Sequence, residues 1–250
     1  MQAFVTLVRR ELGTFFLSMT GFVIIAAGAL LMGLSFIVLL VRLGSEPLPM
    51  PVTETFYLTP FFWIVLLLAA PVITMRLFAL EKYSGTFETL MTTPVKDMQV
   101  VLAKFTAAMV FYMVMWLPLL GCLFVMQHFS SGGSGTDTGA LGATFLGILL
   151  LGCLFISLGC FASALSRSQM VAAMISLALG FALFLLSFLS DRVPLLPAWA
   201  SEALAHLALF DQMHDFSRGI VDTRPVVIYL SITFFFLFLT LRAVESRRWK

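Results

Sequence analysis

The dominant pattern along the chain is a series of long apolar runs that contain no charged residue. They cover residues 12–41, 55–75, 105–136, 138–166, 168–190 and 225–241. A helix needs about 20 apolar residues to cross the hydrocarbon core of a bilayer, and only the last run is shorter. The stems of the flanking Arg224 and Arg242 extend that run. Since the alternation typical of barrel strands is absent, the pattern predicts an all-α membrane protein with six transmembrane helices.

Composition supports a membrane location. Hydrophobic residues make up 60% of the chain, charged residues 11%, and the mean hydropathy is +1.03, whereas soluble domains are about half apolar and about a quarter charged. The first run is too long for a cleavable signal peptide and lacks a small-residue cleavage site, so we expect it to remain in the mature chain. Cys122, Cys153 and Cys160 lie inside apolar runs and are typical of small core residues rather than of disulfides or a metal site.

The distribution of positive charge predicts the orientation. With six spans both termini lie on one side, and that side carries 11 of the 15 Lys and Arg residues. The positive-inside rule therefore places both termini in the cytoplasm. The net charge of +2 gives no indication of a nucleic-acid partner.

Residues 1–14 form a predicted interfacial helix at the N-terminus. Phe4, Leu7, Val8 and Phe15 share one face at helical spacing, which fits a helix lying on the inner membrane surface. The alternative is a fraying tail with ordinary flanking positive charges.

Prolines lead to two further expectations. Pro47, Pro49 and Pro51 follow the first span at alternate positions and favour an extended connector over a helix. Pro60 and Pro71 in the second span and Pro118 in the third predict helix kinks.

Residues 81–104 form a polar segment between the second and third spans. Gly85 interrupts the chain, and Phe87, Leu90 and Met91 then share one helical face. Thr93–Pro94 is typical of an N-cap followed by proline, so a new helix is expected there. The polar face carries threonines and Glu88 rather than Lys and Arg, which suits a protein cleft better than anionic lipid. The alternative is a hairpin resting on headgroups.

Residues 191–224 form the other large polar segment. We expect short amphipathic helices that dip into the outer leaflet before the last span, with Gly219 ending one of them. Arg218 has the spacing to pair with Asp215 and with Asp222. A metal cluster has to be considered for His206, Asp211, His214 and Asp215. Solvated interfacial side chains explain these residues better, so no metal site is predicted.

Small residues recur along the fourth span. Ala143 and Gly147, and Gly159 and Ser163, have small-xxx-small spacing. They favour a tightly packed fourth helix, although small residues are common in membrane helices generally.

Three motifs resemble one transporter family. The first comprises Arg76, Phe78, Ala79, Glu81, Lys82, Gly85, Thr86, Glu88, Leu90, Pro94, Val95 and Lys104. The second is Phe161, Ser163, Leu165 and Arg167, and the third is the sequence Phe-Ser-Arg-Gly-Ile-Val-Asp at 216–222. Together they resemble the ABC-2 type (type V) exporter permeases, and most of all those of the gliding-motility and nitrous-oxide-reductase-maturation types.

This resemblance implies a half-transporter forming one permease domain over residues 1–250 of a bacterial cytoplasmic membrane protein. Two such subunits, identical or related, would pair with two separate ABC ATP-binding subunits that hold ATP and Mg²⁺. No phosphate-binding loop occurs in the sequence, so this chain is expected to be neither an enzyme nor a cofactor carrier. The implied ATPase contacts are Glu81, Lys82, Gly85, Thr86, Phe87, Glu88, Leu90, Met91, Thr93, Pro94 and Val95.

Other classes fit less well. A secondary transporter needs ionisable groups within its spans, and the six runs contain no Asp, Glu, Lys or Arg. An intramembrane enzyme would need paired carboxylates or histidines at membrane depth, but only His128 comes near, at an outer edge. A membrane anchor for an extracytoplasmic partner stays open. The Phe-, Leu- and Met-rich spans hint at lipid-like or amphipathic cargo, and would look the same in a subunit that only transmits force.

Overall fold

The computed structural model describes residues 2–45, 52–86, 95–129, 138–189 and 208–246, and within them the secondary structure is helical. The helices, numbered along the chain, are α1 Gln2–Phe16, α2 Met19–Ser45, α3 Val52–Tyr57, α4 Pro60–Thr74, α5 Ala79–Ser84, α6 Asp97–Met115, α7 Leu117–Phe129, α8 Thr138–Leu165, α9 Gln169–Leu189, α10 Leu209–Ser217 and α11 Thr223–Glu245.

Six stretches of the described chain are long and apolar enough to cross a membrane, which confirms the six-span prediction. They are Met19–Val41, Pro60–Ser84, Asp97–Val125, Gly139–Leu165, Gln169–Ser187 and Thr223–Glu245. Because successive spans alternate in direction, α1, α5 and the end of α11 lie at one end of the bundle, called here the terminal end. The helices α3 and α10 lie at the opposite, distal end.

Two of the spans are built from two helices each. A turn at residues 75–78 separates α4 from α5, and a break at Trp116 separates α6 from α7. Pro60 occupies the first position of α4, where its missing N–H costs no hydrogen bond. Pro118 likewise lies at the start of α7, whereas Pro71 is inside α4. Pro60 and Pro118 therefore mark helix starts, and Pro118 lies next to the break that interrupts the third span at Trp116.

The fourth span is the centre of the bundle, because 72% of its most apolar 18-residue stretch is buried. Glycines allow its neighbours to approach closely. A Cβ built on Gly147 would lie 3.0 Å from the Met213 sulfur of α10, and one on Gly152 would lie 2.4 Å from the Tyr112 ring of α6. The expectation of a tightly packed fourth helix is confirmed, because the small residues sit at these contacts.

Helix α1 confirms the predicted N-terminal helix and its face. Phe15 is buried and Phe4, Leu7 and Val8 are partly buried, whereas Arg9 is exposed. The face packs against α6 of the same chain. Protein therefore covers part of the surface that we expected to rest on lipid.

Two predicted boundaries are wrong. Residues 52–55 were expected to be extended, but they are the first residues of α3, while the three prolines lie outside the described residues. The helix expected to start at Thr93–Pro94 starts at Asp97 instead. Val95 and Lys96 precede it without helical structure, and the Gln99 side chain accepts a hydrogen bond from the Lys96 N–H. Thr93 and Pro94 themselves lie outside the described residues.

Candidate functional site

The segment between the second and third spans is fastened to the end of α8. The Ser163 hydroxyl of α8 accepts hydrogen bonds from the N–H groups of Phe78 and Ala79, at 3.1 and 3.2 Å. These are among the unpaired donors at the start of α5, so α8 supplies a cap that the local sequence lacks. The Lys82 ammonium also donates to the carbonyl of Ala164. Helix α5 is therefore held to α8 at both of its ends.

Gly85 ends α5 in the left-handed conformation, with φ 73°. A residue with a Cβ would be strained there, which explains why glycine follows the charged turn of the helix. Thr86 is exposed and Val95 is half-buried. The other implied ATPase contacts, Phe87, Glu88, Leu90, Met91, Thr93 and Pro94, lie outside the described residues, so these contacts stay a prediction.

A buried ion-pair network joins α5 to α1 and α6. The Lys104 ammonium lies 3.1 Å from Glu11 Oε1 and 2.9 Å from Glu81 Oε1. Only 2% of the Lys104 side chain and 8% of the Glu11 side chain are exposed. The Arg10 guanidinium contacts the same two carboxylates at 2.7 and 3.2 Å, and its hydrogen bond to Glu11 raises the pKa of Arg10. Two cations thus neutralise two carboxylates where three helices meet.

A cavity of about 520 Å³ opens beside this network. Its charged wall includes Arg10, Arg76, Glu81 and Lys104, and its apolar wall includes Phe15 and Leu77. The volume lies in the range of about 300–1,000 Å³ typical of small-molecule sites. The cavity therefore has the size and mixed lining of a binding site.

A second ion-pair cluster lies at the distal end and joins α3 to α10. Glu54, whose side chain is 2% exposed, accepts two hydrogen bonds from the Arg218 guanidinium at 2.9 and 3.0 Å. His214 Nε2 lies 2.9 Å from the same carboxylate. Arg218 was expected to pair with Asp215 or Asp222. That prediction is wrong, because Glu54 offers a planar, two-point contact.

Helix α10 packs against protein on its apolar face. Leu209, Met213 and Phe216 are buried, and α10 contacts α8 and α3. Ile220 and Val221, which follow the end of the helix, are exposed. Gly219 ends the helix with φ 84° as predicted, and the Ile220 N–H reaches back to the Asp215 carbonyl, as in a Schellman motif.

The Glu54 cluster predicts a pH dependence of stability. The hydrogen bond from Arg218 lowers the pKa of Glu54 below its ordinary value of 4.5, with a further contribution from His214 and against the effect of burial. Because the folded pKa is depressed, the stabilisation is present above the unfolded value and disappears as pH falls through the folded one. We expect the thermal unfolding midpoint of the native protein to exceed that of Glu54→Gln at pH 6. The difference should begin to shrink as the pH falls below the ordinary glutamate pKa of 4.5 and should be lost only below the depressed folded pKa of Glu54. A difference that persists unchanged at low pH would contradict the ion pair.

A family model described as "ABC-2 family transporter protein" matches residues 3–241. The chain belongs to the ABC-2 transporter family. With six apolar helices, it is a multi-pass membrane protein and a permease subunit of an ABC transporter. No curated protein matches the chain.

Within this ABC-2 permease, Glu11 is a residue that sequence reasoning missed, and so is its buried ion pair with Lys104. Lys104 was included in the first motif but was placed at the edge of the third span, whereas it lies inside the candidate span Asp97–Val125. The sequence did contain a signal for the burial of Lys104, because Lys104 shares a helical face with the apolar Val100, Ala107 and Phe111, which are buried. A lysine on such a face needs a buried counter-ion.

The residues that were considered for a metal cluster, His206, Asp211, His214 and Asp215, belong to the polar segment at the distal end. Among the described residues, no group of three or more His, Cys, Asp and Glu side chains could hold a metal ion. His214 contacts Glu54 instead, while His206 lies outside the described residues.

Proposed function

We propose that separate ATP-binding subunits drive this permease by pushing on the segment at residues 81–104, and that the permease converts this push into export or force transmission across the membrane. ATP and Mg²⁺ would bind in the partner subunits. The segment's contacts would be those implied by the resemblance, from Glu81 to Val95.

The observation that carries this proposal is the attachment of α5 to α8. The bonds from Phe78, Ala79 and Lys82 all end at Ser163 and Ala164, on the most buried span of the bundle. A displacement of α5 is therefore passed directly to the helix that contacts α4, α6, α9, α10 and α11. A hairpin resting on headgroups would need no such attachment.

The Lys104 network adds a second connection from the same segment. Glu81 of α5 shares the Lys104 ammonium with Glu11 of α1, and α1 packs along α6. A rotation of α5 would consequently pull on the N-terminal helix and on the third span as well. Electrostatic attachment of this kind resists separation because an unpaired buried charge is costly.

The family and the distribution of charge support an arrangement in the cell. We infer a dimer of permease subunits in a bacterial cytoplasmic membrane, with the terminal end in the cytoplasm, as the excess of Lys and Arg at that end supports. Residues 1–250 would act as one permease domain. The gliding-motility and nitrous-oxide-maturation types are our preferred subtypes, on the motifs given above.

We expect Phe87→Ala and Glu88→Lys to weaken co-purification with the ATP-binding subunit by about tenfold or more, since a few anchor residues dominate most interfaces. Met170→Ala is the matched control, because Met170 is an exposed apolar residue at the same end of the bundle but outside residues 81–104. Retention of full association by both variants would contradict the proposal and leave a membrane anchor for an extracytoplasmic partner as the better account.

A further inference from the structure

The cavity at the terminal end carries one positive charge in excess. Arg10 and Lys104 are matched by Glu11 and Glu81. Arg76 is the fifth charged residue of the wall, and its guanidinium donates to the hydroxyl of Thr20. Within the described residues, Arg76 has no carboxylate partner. The lining therefore favours a ligand with a single negative charge.

The donors left in the cavity suit a phosphate group. Arg10 uses its Nη2 for the two carboxylates and Arg76 uses its Nη1 for Thr20, and the described residues offer no partner to the other guanidinium nitrogens. A guanidinium presents paired N–H groups that match two oxygens of a phosphate. The Thr86 hydroxyl also lies in the lining and is shared with the Ser84 hydroxyl, whereas the Thr14 hydroxyl already donates to the Glu11 carbonyl.

The depth of the cavity matches lipid headgroups. Arg76 and Lys104 lie near the terminal-end limits of the candidate spans Pro60–Ser84 and Asp97–Val125, and Thr20 lies at the start of Met19–Val41. Basic pockets between transmembrane helices at this depth bind phospholipid headgroups. A free phosphate would need only the charged wall, yet Phe15, Leu77 and Leu80 line the cavity too. Close by, Leu17 and Met19 are 87% and 86% exposed and offer a surface for acyl chains.

We propose that this cavity holds the headgroup of an anionic phospholipid, with the phosphodiester against Arg76 and Arg10 and the acyl chains over the apolar residues of the α1–α2 turn. The bound lipid would fill the space between α1 and α5. It would act as a structural ligand of the permease, independently of how the ATP-binding subunits dock.

Native mass spectrometry of the full chain in detergent tests the proposal. We expect the native protein to retain one dioleoyl-phosphatidylglycerol, with phosphatidylcholine of the same chains bound about tenfold more weakly. Arg76→Gln should lower affinity for phosphatidylglycerol by about tenfold, as expected for a charge-assisted contact. Arg167→Gln is the control, because Arg167 is an exposed cation at the same end, outside the cavity, and should leave affinity unchanged.

Three results would overturn the proposal. Equal retention of the two lipids by the native protein would show that no anionic site exists, and this comparison needs no variant to fold. Equal losses in Arg76→Gln and Arg167→Gln would indicate general surface attraction. Displacement of phosphatidylglycerol by millimolar inorganic phosphate, with the phosphate retained in its place, would make the cavity a site for the free anion.

Discussion

Lys104→Met will destabilise the protein by about 3 kcal/mol. Removing one partner of a buried ion pair typically costs about 3–5 kcal/mol, because the other charge is left without compensation. Lys104 is 2% exposed and lies within 3.1 Å of both Glu11 and Glu81. The lower end of the range applies here, since Arg10 still contacts both carboxylates.

Equilibrium unfolding in detergent measures this loss, with Lys96→Met as the control. Lys96 is an exposed lysine just before the same helix, and its replacement should change stability by no more than about 0.5 kcal/mol. Adding Glu11→Gln to Lys104→Met should recover part of the loss, because it removes the orphaned charge. If Lys104→Met costs no more than Lys96→Met, the buried network does not exist.

Gly159→Ala is expected to destabilise the protein by about 1–3 kcal/mol, the usual cost of overpacking. A Cβ at this position would lie 2.0 Å from Thr74 Oγ1 and 2.7 Å from Thr74 Cβ. Thr74 is fully buried, and its hydroxyl already donates to the Ala70 carbonyl. The threonine therefore has little room to withdraw, and α4 and α8 must separate.

Gly33→Ala separates this clash from the general effect of losing a helical glycine. Among the described residues, no atom outside the local helix backbone lies within 4 Å of a Cβ built on Gly33 of α2. Alanine there should therefore raise the thermal unfolding midpoint slightly, because glycine is a poor helix former. The two variants are predicted to shift the midpoint in opposite directions. If Gly159→Ala unfolds at the same midpoint as the native protein, α4 and α8 do not approach each other as closely as the contact between Gly159 and Thr74 requires.

The spans were predictable because each apolar run exceeds or nearly matches the bilayer thickness. The side-chain contacts at the ends of the spans could not be predicted, because they depend on partners far along the chain. Lys104 pairs with Glu11, 93 residues earlier, and no local spacing rule connects them. A lysine near a span end can reach the interface on its own stem, so only the packing of α1 against α6 shows that this one is buried.

Arg218 illustrates the same limit at the distal end. Local spacing predicted pairs with Asp215 and Asp222, yet its partner is Glu54, 164 residues away. A two-point contact to a buried carboxylate is stronger than an exposed contact within one helix. Glu54 lies in α3, beyond prolines that led us to expect an extended connector, so its position was not available to a pattern-based argument.

The structure of the polar segment at residues 81–104 was predicted in part. Gly85 does end a helix, as its place after Ser84 indicated. Ser163 belonged to a motif of the resemblance, but the role of its hydroxyl as a cap on α5 depends on tertiary contact. The apolar face at Phe87, Leu90 and Met91 follows from helical spacing and remains a prediction.

The most direct measurement of the central claim is the permease-stimulated rate of ATP hydrolysis in a reconstituted complex carrying Ser163→Ala. The change leaves the implied ATPase contacts from Glu81 to Val95 intact but removes the hydroxyl that bonds α5 to α8. We therefore expect normal association with the ATP-binding subunit and a stimulated rate lowered by about tenfold. Ser157→Ala is the control, because this buried serine of α8 bonds within its own helix, to the Leu154 carbonyl. We expect it to keep the native rate. A Ser163→Ala complex that associates normally and hydrolyses ATP at the native stimulated rate would contradict the transmission of force from α5 to α8.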